Sequence, residues 1–447
     1  MKKALIIPAP AVSHLYASFK IANILGKHGY EIHYFTHNAV AHMVMENQFH
    51  HYSSFNGPIA EEYNEKAMKT ENIQFSYYDR FRDSVMRVLI DNRKEELIAV
   101  VNKVNPDIII ADTFAGGDFA LLYKILKERG IRFFQFEAMP SILDVKGYPY
   151  FDSKAFPGQH LKIWAEHLKR KYKKKWRRLW RRIIYVGYDT YTTLQREMKQ
   201  QGMAKKYVIN QANFFDLTYK AVPSMLTLPL ELEFFKEPPD SYQHYLGFFV
   251  NEKAKQEAVV ESRLQELLDK GKPIIYISFG TVFGGIRADD INGFMQKINT
   301  ALEDFKDTVA IFSMGNAHVS LDEMNKLHNI HAFGFVPQLY LLQFCSVFIT
   351  HGGLNSMKEG IQEAVPMLVI PLEVDQTGNA RKIAHKELGL LGDVETETVE
   401  QLKTKIGALL QQTKYKENLQ KFRDTIAAKY DVEAKVMQII ENEGVVE

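Results

Sequence analysis

At 447 residues the chain is longer than one hydrophobic core serves, because single cores stop growing near roughly 250–300 residues, so two domains are expected. With 46% apolar residues, 25% charged residues and a net charge of +2, the composition excludes a disordered or fibrous chain and favours no nucleic-acid partner. The single cysteine, Cys345, excludes an internal disulfide and a cysteine-built zinc site.

Lys2 and Lys3 before ALII imitate a secretory leader. Pro8 ends that apolar run after four residues, where a leader core needs about 7–15, so a buried first strand is expected. No stretch approaches the ~18 apolar residues that span a bilayer, and the expected location is cytoplasmic, with peripheral attachment to the inner membrane surface as the alternative. The runs 4–8, 30–36, 107–112 and 131–136 are short and apolar, with helical spacing between them, for instance at Phe19, Ile21, Ala22, Ile24 and Leu25. Strands alternating with helices imply a parallel sheet, hence an α/β fold. Between 140 and 235 the alternation gives way to aromatics such as Tyr148, Tyr150, Phe151, Phe156, Trp164, Phe214 and Phe215, which suit an apolar ligand.

Inside that region, ten of the fourteen residues from Lys169 to Arg182 are basic. Tyr172, Trp176, Leu179 or Trp180, and Ile183 fall at helical spacing, so 167–184 reads equally as an interfacial helix for an anionic membrane or as a helix packing its stripe on the domain. The two prolines in 236–252 suit a linker between domains. The alternation resumes at 273–279, 308–313, 346–350 and 366–371, and a helical pattern closes the chain near 415–441. The division expected is 1–235, linker 236–252, 253–425, and a terminal helix in 426–447 that packs back on the first domain.

The densest chemistry lies in 346–381, SVFITHGGLNSMKEGIQEAVPMLVIPLEVDQTGNAR. Gly352 and Gly353 let the backbone approach a ligand closely, and Asn355 and Ser356 open a helix whose free amides and positive dipole end suit a diphosphate. His351 adds a donor there without a metal. Glu359, one turn deeper, would be repelled by phosphate and suits the ribose diol, while Asp375 and Gln376 at the next helix start suit a hydroxyl-rich sugar. The plainer reading makes Asp375 a helix cap and His351 a core residue, but four such features in one strand-to-helix register favour the site.

This stretch resembles the donor signature of the UDP-glycosyltransferase superfamily, of GT-B architecture: two facing Rossmann-like domains with parallel sheets around a cleft. In GFVPQLYLL the resemblance implies that Phe335 stacks on the uracil and that Pro337 and Gln338 meet the base; Val336, Gly353 and Leu354 join the nucleotide contacts. SFGT, with Ser278, Gly280 and Thr281, is similar to the phosphate-side loop of the family. Plant members carry Trp at the places of Phe335 and Leu354 and Cys at that of Gly352, so the chain resembles a bacterial-type or animal-type member, and a thymidine diphosphate donor stays open. His14 matches the family's catalytic histidine, although Ala17 stands where a proline follows it, and Asp112 matches the aspartate that orients it. Ser13 is expected to cap the helix, whose N-terminus would keep His14 neutral and ready to accept a proton. Asp118 is the rival partner; Asp107 lies at the other end of its strand.

The implied activity is inverting transfer of a hexose, glucose first, from a UDP-sugar co-substrate to a small hydroxylated acceptor, with no cofactor and no metal. The rivals are a UDP-sugar epimerase of the same architecture and a catalytically silent nucleotide-sugar-binding subunit. Intact His14 and Asp112 oppose the silent subunit and the aromatic 140–235 region opposes the epimerase. A dehydrogenase is disfavoured because no G-x-G-x-x-G follows the first strand.

Overall fold

Ala4, Leu5, Ile6 and Ile7 of the first strand are buried on both of its faces, which an uninterrupted apolar run does when helices cover both sides of a parallel sheet. The computed structural model describes residues 1–447 except 10, 57–80, 83, 210–218, 251–259, 281–287, 316–323, 325–326, 374 and 445–447. In the first half, β1 (Lys2–Ile7), β2 (Tyr30–Thr36), β3 (His50–Ser53), β4 (Ile108–Asp112), β5 (Arg132–Glu137), β6 (Ser224–Leu226) and β7 (Gln243–Tyr245) form one parallel sheet in the order β3-β2-β1-β4-β5-β6-β7. Its helices are α1 (Val12–Lys27), α2 (Ala41–Glu46), α3 (Val88–Val104), α4 (Gly117–Arg129), α5 (His160–Ile184) and α6 (Thr190–Gln200).

The second sheet comprises β8 (Ile274–Ser278), β9 (Val309–Ser313), β10 (His331–Phe333), β11 (Cys345–Thr350), β12 (Met367–Val369) and β13 (Gly389–Leu391), in the order β10-β9-β8-β11-β12-β13. Around it lie α7 (Ser262–Leu268), α8 (Ala288–Ala301), α9 (Gln338–Leu342), α10 (Leu354–Gln362), α11 (Gln376–His385), α12 (Val399–Gln411) and α13 (Thr413–Lys429). Both orders reverse direction once, between β1 and β4 and between β8 and β11. Ligands of doubly wound sheets bind at such reversals, beyond the carboxyl ends of the strands. Two sites of that kind are therefore built into one chain.

The expected linker 236–252 is not all linker, because Gln243–Tyr245 form β7 and close the edge of the first sheet. The strand is three residues long and mixes Gln, His and Tyr, so it has no apolar run to announce it. The closing helical pattern splits at Tyr430 into α13 and a further helix, α14 (Val432–Asn442). Val436, Ile439 and Ile440 of α14 join the core that holds Leu25 and Phe134 of the first domain. Leu419 and Ile426 of α13 belong instead to the core under the second sheet. Tyr430 pins the crossing: its hydroxyl donates to Glu231 (2.9 Å) and accepts from the Leu230 amide (3.2 Å).

Candidate active site

The first reversal brings His14 and Asp112 together. His14 lies in the first turn of α1, beyond β1, and Asp112 ends β4; His14 Nδ1 and Asp112 Oδ2 are 2.7 Å apart. The other carboxylate oxygen, Oδ1, accepts from the Phe114 amide at 2.8 Å, and the Phe114 ring meets the imidazole edge-on at 5.3 Å. Imidazole position is thus fixed by one carboxylate and one ring, of which Phe114 carried no sequence signal. The rival Asp118 is committed elsewhere: it is fully buried and takes both Arg93 Nε (3.1 Å) and Nη2 (2.6 Å). Asp107 accepts from the Lys3 amide, at the opposite end of the strand.

Two details differ from expectation. Ser13 does not cap α1, because the cap position falls on Ala11, in extended backbone at φ −124° with no side-chain bond, and Ser13 is already helical. Nor is His14 held neutral by the helix. Burial pulls its pKa down, but the Asp112 charge, the Asp112 hydrogen bond and the Asp375 charge together outweigh burial and raise it above the ordinary 6.5. A carboxylate in contact acts more strongly than a half-charge at a helix end.

The second reversal holds the donor signature. α10 starts at Leu354 behind Gly353, whose side supplies no capping oxygen, so the first amides of the helix, those of Leu354, Asn355 and Ser356, have no intrahelical partner. Gly352 lies at φ +83°, and a Cβ there would meet Val369 at 2.5 Å. The His351 ring is wedged between two glycines: a Cβ on Gly280 would approach it to 2.6 Å and one on Gly353 to 2.5 Å. Burial pushes the His351 pKa down to about 4 against a smaller opposing backbone contact at Ser278, and Nδ1 has no hydrogen-bond partner of good geometry. A neutral imidazole still offers one N–H to an anion.

Gln338 Nε2 donates to Glu359 Oε2 at 2.6 Å and to Ser356 Oγ at 3.3 Å, while its Oε1 accepts from Tyr276 at 3.3 Å. The side chain expected on the base is thus turned toward the Glu359 carboxylate, which it orients. Val336 and Leu354 are core residues and have only backbone to offer a nucleotide, whereas Phe335 is 73% exposed and presents its ring face. Thr281 lies outside the described residues, as do Phe214 and Phe215. Ser278 ends β8 and takes the Gly280 amide at 3.5 Å.

At the next turn, Asp375 does not cap α11 with its side chain; its Oδ2 accepts from Asn379 Nδ2 at 2.9 Å. Asn379, fully buried, also donates to the Gly352 carbonyl at 3.0 Å, bolting the two turns together. Gln376 spends its Oε1 on the amides of Leu372 and Glu373, both at 2.9 Å, so only its Nε2 donors remain for a sugar. Of the aromatics expected to serve an acceptor, Tyr150 and Phe151 are instead buried in a small cluster with Ile142, and the Phe151 carbonyl backs directly onto Gly378 of α11.

The two reversals face each other. Asn355 Nδ2 of α10 donates to the Ser13 carbonyl at 3.1 Å, one residue before His14, and His14 and Asp375 each feel the charge of the other. Farther along the seam, Lys382 of α11 pairs with buried Glu233 at 2.5 Å and Lys358 donates to the Thr227 carbonyl at 3.2 Å. Among the described residues no cluster of three or more His, Cys, Asp or Glu could hold a metal ion.

Residues 203–426 match the family described as UDP-glucoronosyl and UDP-glucosyl transferase. An uncharacterised UDP-glucosyltransferase of Bacillus subtilis, YdhE, is 22% identical over 99% of this chain and 98% of its own length. The NDP-glycosyltransferase YjiC of Bacillus licheniformis is 28% identical over 45% of this chain and 49% of its own. Among solved structures, the kitacinnamycin glycosyltransferase superposes with a TM-score of 0.71 at 17% identity, covering 98% of each chain. VinC, solved in complex with dTDP, gives 0.62 at 15% identity, again over 98% of each. The chain belongs to the UDP-glucuronosyl and UDP-glucosyl transferase family and is a glycosyltransferase of GT-B fold that binds a nucleotide-sugar donor.

Proposed function

We propose that the protein transfers a hexose, glucose first, from UDP to a hydroxyl of a small apolar or lipid-like acceptor with inversion, and that His14 is the general base. The observation that carries this reading is the 2.7 Å His14–Asp112 pair, set one residue from the Asn355–Ser13 bond that joins it to the donor signature. His14 takes the acceptor proton, the oxygen attacks the anomeric carbon from the face opposite UDP, and Asp112 stabilises the imidazolium that forms. Charge on the departing diphosphate falls on the amides opening α10 and on the N–H of neutral His351, preorganised donors in place of a metal. Glu359 takes the ribose, and Asp375 with the Gln376 amide takes the hexose. The proposed location is cytoplasmic, with peripheral attachment to the inner membrane surface as the alternative.

A screen of hydroxylated acceptors against UDP-glucose, UDP-galactose and dTDP-glucose, run in excess EDTA and read by NMR of the product anomer, tests the proposal. Transfer with an inverted anomeric centre is expected. A retained anomer, or activity abolished by EDTA and restored by a divalent cation, would overturn the mechanism.

A further inference from the structure

The basic segment forms α5, a helix of 25 residues and so about 37 Å long. It packs the wrong way round for an ordinary amphipathic helix. Its polar residues grip the domain: Arg170 pairs with Asp152 and lies over the Tyr150 ring, His167 meets Asp144 at 2.5 Å, and Arg178 lies over Tyr191. Ile163 is the one buried residue of the helix. The apolar stripe faces outward instead. Trp164, Leu168, Tyr172, Trp176, Leu179 and Ile183 succeed one another at steps of three or four residues, hence on one face, and all are exposed. Trp164, Trp176 and the adjoining Trp180 keep 63%, 58% and 57% of their surface in water.

The packing alternative for the stripe is thereby removed, and the charge pattern indicates what covers it. At 100° per residue, exposed Lys171, Lys175 and Arg182 flank the stripe on one side and exposed Lys169 and Lys173 on the other. Aromatic side chains between two rows of cations suit a plane that is apolar inside and anionic at its rim. A protein groove would need a partner with acidic walls on both sides of a 37 Å ridge; a bilayer containing anionic lipid supplies both walls anywhere. We propose that α5 docks the enzyme on an anionic bilayer surface, with the tryptophans seated among the headgroups. The purpose of this docking rests on the apolar-acceptor reading above, but the docking itself does not, because it requires no turnover.

Trp164, Trp176 and Trp180 are all the tryptophans of the chain, so intrinsic tryptophan emission reports on this face alone. The test titrates the full chain with phosphatidylglycerol vesicles and with phosphatidylcholine vesicles, at low and high ionic strength, following emission and co-sedimentation. Expected are a blue shift and sedimentation with phosphatidylglycerol, at least tenfold weaker partitioning in high salt, and a similar loss in the variant Lys171→Glu/Lys173→Glu/Lys175→Glu/Arg182→Glu. Those positions sit on the outer flanks, whereas Arg170 and Arg178 hold the helix in place, so the variant keeps its fold; unchanged circular dichroism verifies this. Equal partitioning of variant and wild type, or an equal blue shift with a soluble polyanion in place of vesicles, overturns the proposal. A blue shift that grows with protein concentration without vesicles overturns it in favour of a second copy of the chain. Membrane binding without hexose transfer would refute the acceptor reading alone.

Discussion

Two histidines stand at the two reversals of strand order, His14 partly buried and His351 buried, and the protein treats them oppositely. His14 leans on a carboxylate at 2.7 Å and its pKa rises; His351 is wedged among glycines with no carboxylate and falls to about 4. Topology sets where a ligand can lie, because both crevices open at the carboxyl ends of parallel strands. What packs against the ring then sets its chemistry. In the proposed mechanism, His14, which must accept and hold a proton, has a carboxylate, and His351, which must meet an anion without a mobile proton, is buried without one.

Removing the rings breaks the comparison most sharply. His14→Ala is expected to cost at least about two orders of magnitude in turnover, the worth of a positioned base, with UDP affinity unchanged by calorimetry. His351→Ala is expected to weaken UDP binding instead, by roughly tenfold, as loss of a charge-assisted hydrogen bond implies. If both variants lost turnover and UDP affinity alike, the two rings would not have separate tasks.

Smaller changes sharpen the division. Glu359→Ala is expected to weaken UDP and UDP-glucose equally, by about tenfold, because its contact is with ribose. Gln376→Ala spares UDP and weakens UDP-glucose by about fivefold, a neutral hydrogen bond's worth, unless release of the Leu372 and Glu373 amides disturbs the turn. Isothermal titration with the two ligands separates these cases. Asp118→Asn has the least effect on the chemistry: once folded, the variant is expected to turn over within about twofold of wild type, while its thermal midpoint falls because Arg93 keeps a buried charge without its anion. A larger kinetic loss than that of Asp112→Asn would make Asp118 the partner.

The strands that carry the site were legible because they are apolar on both faces: 4–7, 108–111 and 274–277 stand out as unbroken runs. The short strands β3, β6, β7, β10 and β13, of three or four residues at or next to the sheet edges, were not, since their pairing is dictated by a neighbour already in place. Residues of the donor signature could be read because close backbone approach requires glycine and a phosphate cradle requires a helix start. Phe114 and Asn379 were silent, because an aromatic after a strand and an amide inside a helix acquire their roles only from what the fold brings beside them. The same holds for α5. Its period showed a stripe, but only the pairing of Arg170 with Asp152 and the stacking on Tyr150 show which face turns inward.

The central claim is that Asp112 makes His14 a base by holding its charged form, and the pH dependence of kcat/KM tests it most directly, since this ratio reports the free enzyme's groups. Transfer requires neutral His14, so the rate rises with pH as the imidazolium loses its proton; a raised pKa places that rise above pH 6.5. In Asp112→Asn the charge that raises it is gone, burial dominates, and the rise is expected at lower pH, with a plateau reduced by roughly ten- to hundredfold. Asp375→Asn is expected to move the rise the same way by less. An inflection unmoved by Asp112→Asn, or one that persists in residual His14→Ala activity, would contradict the account.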